Sequence, residues 1–218
     1  MQILLLGKPG SGKGTQAKRL ADRLGIPSIS TGDLFRRAIA ENTELGRQCK
    51  SYLDQGLLVP DVLVLAVVQE QLASPLCAKG FLLDGFPRTV PQAEALSGWL
   101  AAQKKPSLHA LLIDVPTSIL LERAVGRRYC VKDGSSYHVR YAPSKDGEHC
   151  DMCGGPLVQR EDDTEPLVRQ RIEQYETKTY PLIAYYGGKS CLYTIDGIGT
   201  PQEVESRIET VFAMIQRA

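Results

Sequence analysis

The chain has 218 residues, of which 43% are hydrophobic and 23% charged, a balance typical of a globular protein that buries one good core. Its formal net charge of +1 provides no global attraction to nucleic acid or to an anionic membrane. The apolar run at residues 2–6 is too short for a signal peptide, and no stretch is long enough to span a bilayer. We therefore expect a cytoplasmic protein whose partners are small molecules rather than nucleic acid or a membrane, and nothing in the sequence demands more than a monomer.

Short apolar runs bounded by glycine or aspartate predict five buried strands, at residues 2–6, 27–30, 80–83, 108–115 and 192–195. Segments with helical periodicity alternate with them, at residues 14–24, 61–72, 90–103 and 118–125. A last helix begins at Thr200-Pro201-Gln202-Glu203, which has the form of a capping box with proline at the first helical position. This alternation predicts an α/β fold with a doubly wound, parallel five-stranded sheet, and ligands bind such sheets beyond the carboxyl ends of the strands.

Two stretches interrupt the alternation. Residues 31–59 have the pattern of a helical pair, and residues 126–163 are rich in glycine, cysteine, tyrosine and charge without a helical period. We interpret both as inserts over the edge of the sheet. The predicted core domain then comprises residues 1–29, 60–125 and 164–218, with one insert at residues 30–59 and another at residues 126–163.

A glycine-rich run follows the first predicted strand and leads into a helix: Gly7-Lys8-Pro9-Gly10-Ser11-Gly12-Lys13-Gly14-Thr15. Glycines at this place let backbone N–H groups converge on phosphate oxygens, and the helix N-terminus adds a positive dipole. Lys13 supplies a full positive charge for the β- and γ-phosphates of a nucleotide. The general motif has serine or threonine directly after the lysine, whereas here Gly14 separates Lys13 from Thr15, so a direct hydroxyl ligand to magnesium is not assured.

Further along, a predicted buried strand ends in Asp84, and the turn Gly85-Phe86-Pro87 then exposes Arg88. A carboxylate at the end of a strand, level with a phosphate loop, can hold magnesium or its waters, so Asp84 is the candidate for a magnesium site. Phosphoryl transfer depends on positioning and charge neutralisation, and the planar fork of arginine suits both tasks. Most arginines taken singly are surface residues. The candidates in this chain are Arg36, Arg88, Arg123, Arg127, Arg160 and Arg171.

The second insert contains a cluster of possible metal ligands, Cys130, Asp133, Cys150 and Cys153. Two pairs with two-residue spacing are typical of the knuckles of a structural zinc site, and an insert without a core of its own needs such a staple. A site of three thiolates and one carboxylate is favoured. A metal-free hydrogen-bonded cluster and an incidental redox pair of Cys150 with Cys153 are the alternatives.

The phosphate-loop run GKPGSGKGTQ at residues 7–16 resembles that of adenylate kinases, which also have the extra glycine. The resemblance continues, in the same order along almost the whole chain, with STGDLFR at 30–36, DGFPRTVPQ at 84–92, GRR at 126–128, REDD at 160–163 and VRQR at 168–171. It implies a P-loop kinase that converts ATP and AMP reversibly to two ADP. Mg²⁺ would accompany ATP, residues 30–59 would bind AMP, and residues 126–163 would form a lid that carries structural Zn²⁺.

By this resemblance, each candidate residue receives a role. The residues expected to be catalytic, by stabilising charge at the transferred group, are Lys13, Asp84, Arg88, Arg123, Arg127, Arg160 and Arg171. ATP would contact Gly10, Ser11, Gly12, Lys13, Gly14, Thr15, Arg123, Arg127, Ser136, Tyr137 and Gly199. AMP would contact Thr31, Arg36, Leu57, Leu58, Val59, Gly85, Phe86, Pro87, Arg88, Gln92, Arg160 and Arg171, with Thr31 and the Gln92 amide at the adenine.

Three other functions compete with this interpretation. The first is a kinase for another nucleoside monophosphate, which would differ around Thr31 and usually has a much shorter second insert. The second is a non-catalytic P-loop nucleotide switch. The third is a zinc-knuckle nucleic-acid module, against which stands the absence of a basic stripe with interleaved aromatic residues in the sequence.

Overall fold

Five strands pair in parallel to form the central sheet of the computed structural model, which describes residues 1–215. The strands are β1 (Gln2–Leu6), β2 (Ser28–Ser30), β3 (Phe81–Asp84), β4 (Leu108–Asp114) and, after three strands of the second insert, β8 (Leu192–Asp196). Their order across the sheet is β2-β3-β1-β4-β8, and every neighbouring pair is parallel. The predicted α/β fold with a parallel five-stranded sheet is confirmed.

Nine α-helices are found within residues 1–215: α1 (Lys13–Leu24), α2 (Thr31–Ala40), α3 (Glu44–Asp54), α4 (Asp61–Ala73), α5 (Val90–Ala102), α6 (Thr117–Val125), α7 (Glu165–Gln174), α8 (Pro181–Gly187) and α9 (Pro201–Ile215). A 3-10 turn spans Pro75–Cys77 and a π-helical turn spans Tyr175–Thr179. The capping box of α9 is present, because Glu203 Oε2 accepts from Thr200 N at 2.7 Å and Thr200 Oγ1 accepts from Glu203 N at 3.3 Å. Of these helices, none is both long and apolar enough to cross a bilayer.

Hydrophobic cores lie on both faces of the sheet. On β1, Leu4 and Leu6 belong to one core, whereas Ile3 and Leu5 belong to the other. This alternation follows from the two-residue period of a strand. Because both faces of the strand are covered, all five residues of β1 are buried, and four of them are apolar. Burying each of these leucine or isoleucine side chains contributes about 1.5–3 kcal/mol, so β1 is fixed as the central strand from which the phosphate loop leaves.

The two inserts have different structures. Helices α2 and α3 pack against each other within the first insert, as the helical pattern predicted. The second insert contains a three-stranded antiparallel sheet of β5 (Arg127–Cys130), β6 (Ser136–His138) and β7 (Leu157–Val158), in the order β6-β5-β7. These strands have two to four residues and were not predicted, because runs so short show no recognisable alternation.

The packing of α2 on α3 generates a stability prediction. A Cβ at Gly46 would lie 2.1 Å from Ala38 O, so Gly46→Ala should lower the free energy of unfolding by about 1–3 kcal/mol through overpacking. Gly98 is an exposed glycine inside α5 whose added Cβ would meet nothing within 4 Å. Gly98→Ala should therefore raise that free energy by about 0.5–1 kcal/mol. Urea denaturation of both variants measures the difference, and shifts of the same sign would contradict the packing described here.

Candidate active site

A large cavity lies beyond the carboxyl ends of β1, β2 and β3. The register places Asp84 level with both Leu5 of β1 and Ser30 of β2, so groups that follow these strands meet at one edge of the sheet. Many of the residues predicted from the sequence line this cavity: Gly10, Ser11, Gly12, Lys13, Gly14, Thr15, Arg36, Leu58, Asp84, Gly85, Pro87, Arg88, Arg123, Arg127, Ser136, Tyr137, Arg160, Arg171 and Gly199.

The phosphate loop depends on glycine at two points. Gly12 has φ 94° as the N-cap of α1, and Gly10 has φ 85°, with an added Cβ only 2.6 Å from Leu120 O. A side chain at either position would strain the backbone, and one at Gly10 would also collide with α6, so the tight loop favours glycine at both. The loop and the start of α1 line the cavity, where backbone N–H groups and the helix dipole favour an anionic ligand.

Lys13 folds back across this loop. Its Nζ donates to Gly7 O at 2.6 Å and to Lys8 O at 2.9 Å. Burial lowers the pKa of Lys13 to about 8, although the negative charge of Asp84 opposes the shift. An added Cβ at Gly14 would lie 3.5 Å from Asp84 Oδ2, so the carboxylate lies directly against the first turn of α1. This position, at the cavity and beside Lys13, fits a ligand to Mg²⁺ or to its bound waters.

Two of the arginines form ion pairs with consecutive aspartates that follow the second insert's sheet. Arg127 grips Asp163 with both arms of its fork, and one of these hydrogen bonds measures 2.8 Å from Nε to Oδ2. Arg171 Nη1 lies 2.9 Å from Asp162 Oδ2 and 3.2 Å from Asp163 Oδ1. Because Asp163 is fully buried, these pairs hold both guanidinium groups at the cavity wall in fixed directions.

The other arginines each contact a single acceptor oxygen. Arg36 Nη2 donates to Asp33 Oδ1 at 2.5 Å, and Arg160 reaches the same oxygen at 3.4 Å. Arg88 Nε donates to Gly85 O at 2.7 Å, and Arg123 Nη1 donates to the Gly197 carbonyl at 3.0 Å. Such contacts with single oxygens leave other N–H groups of each fork available for a phosphate.

Burial of several cations in one place lowers the pKa of two of the arginines. Desolvation, followed by repulsion from Arg171, lowers the pKa of Arg88 to about 10. Desolvation and repulsion from Arg36 lower the pKa of Arg160 to about 10. Both groups stay charged at neutral pH, so the cavity presents a concentrated positive potential to anionic ligands.

A second, smaller cleft lies beside the first insert and contains the remaining predicted acceptor residues. It is lined by Thr31, Leu57, Leu58, Val59, Gly85, Arg88 and Gln92 among others. Thr31 Oγ1 donates to Gly85 O at 2.9 Å. Phe86 is the exception among the predicted acceptor residues, because its side chain is 1% exposed and belongs to the hydrophobic core beneath the turn.

The predicted metal ligands also come together. One ligand atom from each of Cys130, Asp133, Cys150 and Cys153 lies within 4.8 Å of the others. The backbone N–H groups of Lys132 and Met152 donate to the sulfurs of Cys130 and Cys150 at 3.4 Å each, as in paired metal-binding knuckles. Ser135 N donates to Asp133 Oδ1 at 2.8 Å, and this bond holds the pKa of Asp133 well below its usual value. The donor set therefore fits zinc.

Several residues at the site were not assigned a role from the sequence. Asp33, Asp162 and Asp163 pair with the arginines, and only their presence in the runs at residues 30–36 and 160–163 signalled them. Tyr141 lines the cavity, with its ring centre 5.9 Å from the Arg123 guanidinium carbon. Thr179 Oγ1 donates to Arg88 O at 2.9 Å from the π-helical turn, a contact that no local sequence pattern indicates.

The fold and the cavity together define a P-loop protein that can hold phosphate groups from two sides. The family model for adenylate kinase matches residues 5–191 of the chain. A curated adenylate kinase of Citrifermentans bemidjiense is 52% identical over 208 residues, which cover 95% of this chain and 97% of the relative. The adenylate kinase of Clostridium tetani is 50% identical over 99% of this chain and 100% of its own length. The chain belongs to the adenylate kinase family, and it is a phosphotransferase.

The lowered pKa of Lys13 predicts proton uptake on nucleotide binding. At pH 8 about half of the Lys13 side chains are neutral before binding, and a nearby triphosphate should raise the pKa and restore the proton. Calorimetric titration with Mg-ATP in buffers of different ionisation enthalpy should show uptake of about half a proton per chain. Lys13→Met should abolish this uptake. Lys8→Met should retain it, because Lys8 Nζ pairs with Glu176 instead, at 2.5 Å. Equal uptake by all three proteins would assign the proton to another group.

Proposed function

We propose that this nucleoside monophosphate kinase, which converts ATP and AMP to two ADP, holds the ATP phosphates in the loop at residues 7–15 and AMP in the cleft beside the first insert. The observation that carries the assignment is the convergence of Lys13 and all six predicted arginines on one cavity beyond the sheet. Two sets of phosphates that meet there would lie between the loop and Arg88. This arrangement suits direct, in-line transfer from one nucleotide to the other.

Each charged group then has a task in the transfer. Lys13 and the N–H groups of the loop hold the β- and γ-phosphates, while Arg36 and Arg88 grip the phosphate of AMP. Arg123 and Arg127 contact ATP from the other side, and Arg160 and Arg171 neutralise charge on the moving group. Adenylate kinases use Mg²⁺ with ATP, and Asp84 would hold this ion or its waters, where it neutralises charge on the phosphates.

The two inserts provide the means to exclude water. Residues 30–59 and 126–163 both contribute residues to the cavity, including Arg36 from the first and Arg160 from the second, and Arg160 Nη2 lies 3.4 Å from Asp33 Oδ1 of the first insert. With both inserts closed over bound nucleotides, these arginines would contact the phosphates, and water that could otherwise accept the phosphoryl group would be excluded. ATP hydrolysis without AMP would then be slow.

Adenine selection at the acceptor falls to Thr31, Gln92 and backbone groups of Leu57, Leu58 and Val59. Gln92 is 2% exposed and lies at the small cleft, where its amide can pair with an adenine edge. Phe86 would contribute only through its backbone, because its side chain is in the core.

We also propose that the protein is a monomer and is located in the cytoplasm. Light scattering at micromolar concentration tests whether it is a monomer.

The assignment predicts a specific pattern of activity. ADP should form from ATP and AMP only with a divalent cation, the reaction should run backwards from ADP alone, and AMP should be preferred to UMP, CMP and GMP. Arg88→Ala should lower kcat by about three to five orders of magnitude, because its charge holds the AMP phosphate that receives the transferred group and acts in the transition state. A coupled assay for ADP and the reverse assay measure these rates.

Arg128→Ala is the matched control for Arg88→Ala. Its Nη1 donates only to backbone carbonyls, of Val125 at 3.3 Å and Arg127 at 2.7 Å, so its loss should be mild. A dead Arg128→Ala beside a near-normal Arg88→Ala would show that the arginine assignment is wrong. Failure of AMP to accelerate ATP consumption would overturn the assignment of the acceptor site itself.

The cysteine cluster is proposed as a structural zinc site of Cys130, Asp133, Cys150 and Cys153. Three thiolates and one carboxylate complete a tetrahedral shell with no open position for chemistry. The surrounding sheet has only short strands, so a metal would contribute much of its stability. Tyr137 connects this cluster to the cavity, because its hydroxyl lies 3.4 Å from the Cys150 sulfur while its side chain lines the cavity wall.

Elemental analysis should find about one zinc per chain. Cys150→Ser should release the metal and lower the melting temperature more than it lowers activity at moderate temperature, because the site stabilises the second insert without taking part in chemistry. Asp133→Cys should keep or tighten zinc binding, since a fourth thiolate suits the ion. Cys191→Ser is the control, because this thiol contacts the Tyr186 carbonyl and not the cluster. It should change neither the zinc content nor the melting temperature. Metal-free wild-type protein with an unchanged Cys150→Ser melting temperature would favour the hydrogen-bonded cluster.

A further inference from the structure

Asp61, the first residue of α4, joins the starts of two helices through a single carboxylate. Its Oδ1 accepts from Gln92 Nε2 at 2.6 Å, and its Oδ2 accepts from Thr89 Oγ1 at 2.9 Å. Thr89 is the N-cap of α5, and its hydroxyl accepts in turn from Gln92 N at 3.3 Å. The backbone and the side chain of Gln92 are therefore both fixed by this small network.

The network leaves the Gln92 amide only one favourable orientation. Gln92 Oε1 accepts from Arg88 N at 2.7 Å, on the side away from Asp61. If the amide turned over, its oxygen would face the Asp61 carboxylate and its NH₂ group would face the Arg88 N–H. One contact would then place two acceptors together and the other two donors. Because Gln92 is only 2% exposed, water could not compensate for these lost hydrogen bonds.

In this orientation the amide still has one N–H and one oxygen lone pair to offer to a ligand. An adenine edge presents its amino N–H beside a ring-nitrogen acceptor, and a glutamine amide can pair with both. Guanine has a carbonyl oxygen in place of the amino group, so the oxygen of Gln92 would meet an acceptor unless the amide turned over. The direction of the amide thus separates the two purines.

We propose that Asp61 is a positioning residue that fixes the Gln92 amide and thereby makes the acceptor cleft selective for adenine. The inference rests on the proposed AMP site, and it assigns to Asp61 no contact with substrate. Asp61 directly follows the first insert, so the same carboxylate ties the end of that insert to the turn that carries Arg88. The orientation is present before any nucleotide enters, which reduces the ordering needed on binding.

Steady-state kinetics of Asp61→Ala and Asp61→Ser test the proposal, since neither side chain can reach Gln92. The expected result is a KM for AMP raised about tenfold, a KM for ATP within about twofold of wild type, and a kcat/KM ratio of AMP to GMP lowered about tenfold. Asp61→Asn should restore that ratio, because its Oδ1 can accept from Gln92 while its Nδ2 donates to Thr89. Glu70→Gln, at an exposed position of α4, is the control for charge on the same helix and should change none of these values.

A double-mutant cycle separates positioning from a general structural effect. In a Gln92→Leu background, Asp61→Ala should cause no further change in the AMP to GMP ratio. An unchanged ratio in folded Asp61→Ala and Asp61→Ser would overturn the proposal, and so would equal losses with both nucleotides. Asp61→Ser keeps a polar side chain at the first residue of α4, so it serves if Asp61→Ala does not fold. Wild-type protein without AMP-dependent ADP formation would instead overturn the proposed acceptor site.

Discussion

The concentration of positive charge at one edge of the sheet is the constraint on which the site depends. Lys13 and six arginines face one cavity, and desolvation of these cations opposes folding. Four carboxylates offset this cost: Asp33, Asp84, Asp162 and Asp163. Because removal of one partner of such a pair leaves an uncompensated buried charge, the arginines and aspartates stabilise the folded cavity only as a set.

In the proposed site, the aspartates would also determine where phosphate groups bind. Arg127 is gripped from both arms by the fully buried Asp163, whereas Arg36 and Arg160 share one oxygen of Asp33, whose side chain is 61% exposed. A phosphate can replace an exposed carboxylate at small cost, but it would have to desolvate and displace Asp163 to replace the buried one. In the proposed site, the arginines paired with Asp33 would therefore exchange this partner for phosphate, whereas Arg127 would stay paired with Asp163.

Much of this fold could be predicted from local patterns. The five strands, helices such as α1 and α5, and the capping box of α9 all have signals within a few residues of sequence. Helices α7 and α8 were missed. Four of the ten residues of α7 are charged and only Val168 is buried, so the helix shows almost no apolar period. The short strands of the second insert were missed for the related reason that two to four residues cannot establish an alternation.

The site also has a part that could be predicted and a part that could not. Recurring motifs indicated the residues that face a ligand, but not the residues that hold those side chains in place. Arg88 was recognised from the run that contains it, whereas Thr179, which donates to its carbonyl, is 91 residues away. Asp61 and Gln92 are 31 residues apart and meet only because α4 and α5 start side by side. A phosphate would replace Asp33 as the partner of Arg36. The bond between Asp61 and Gln92 can instead remain when a nucleotide binds, because the Gln92 amide keeps one donor and one acceptor for the base. The proposed acceptor site would thus combine ion pairs that phosphate can exchange with a hydrogen bond that persists when the base binds.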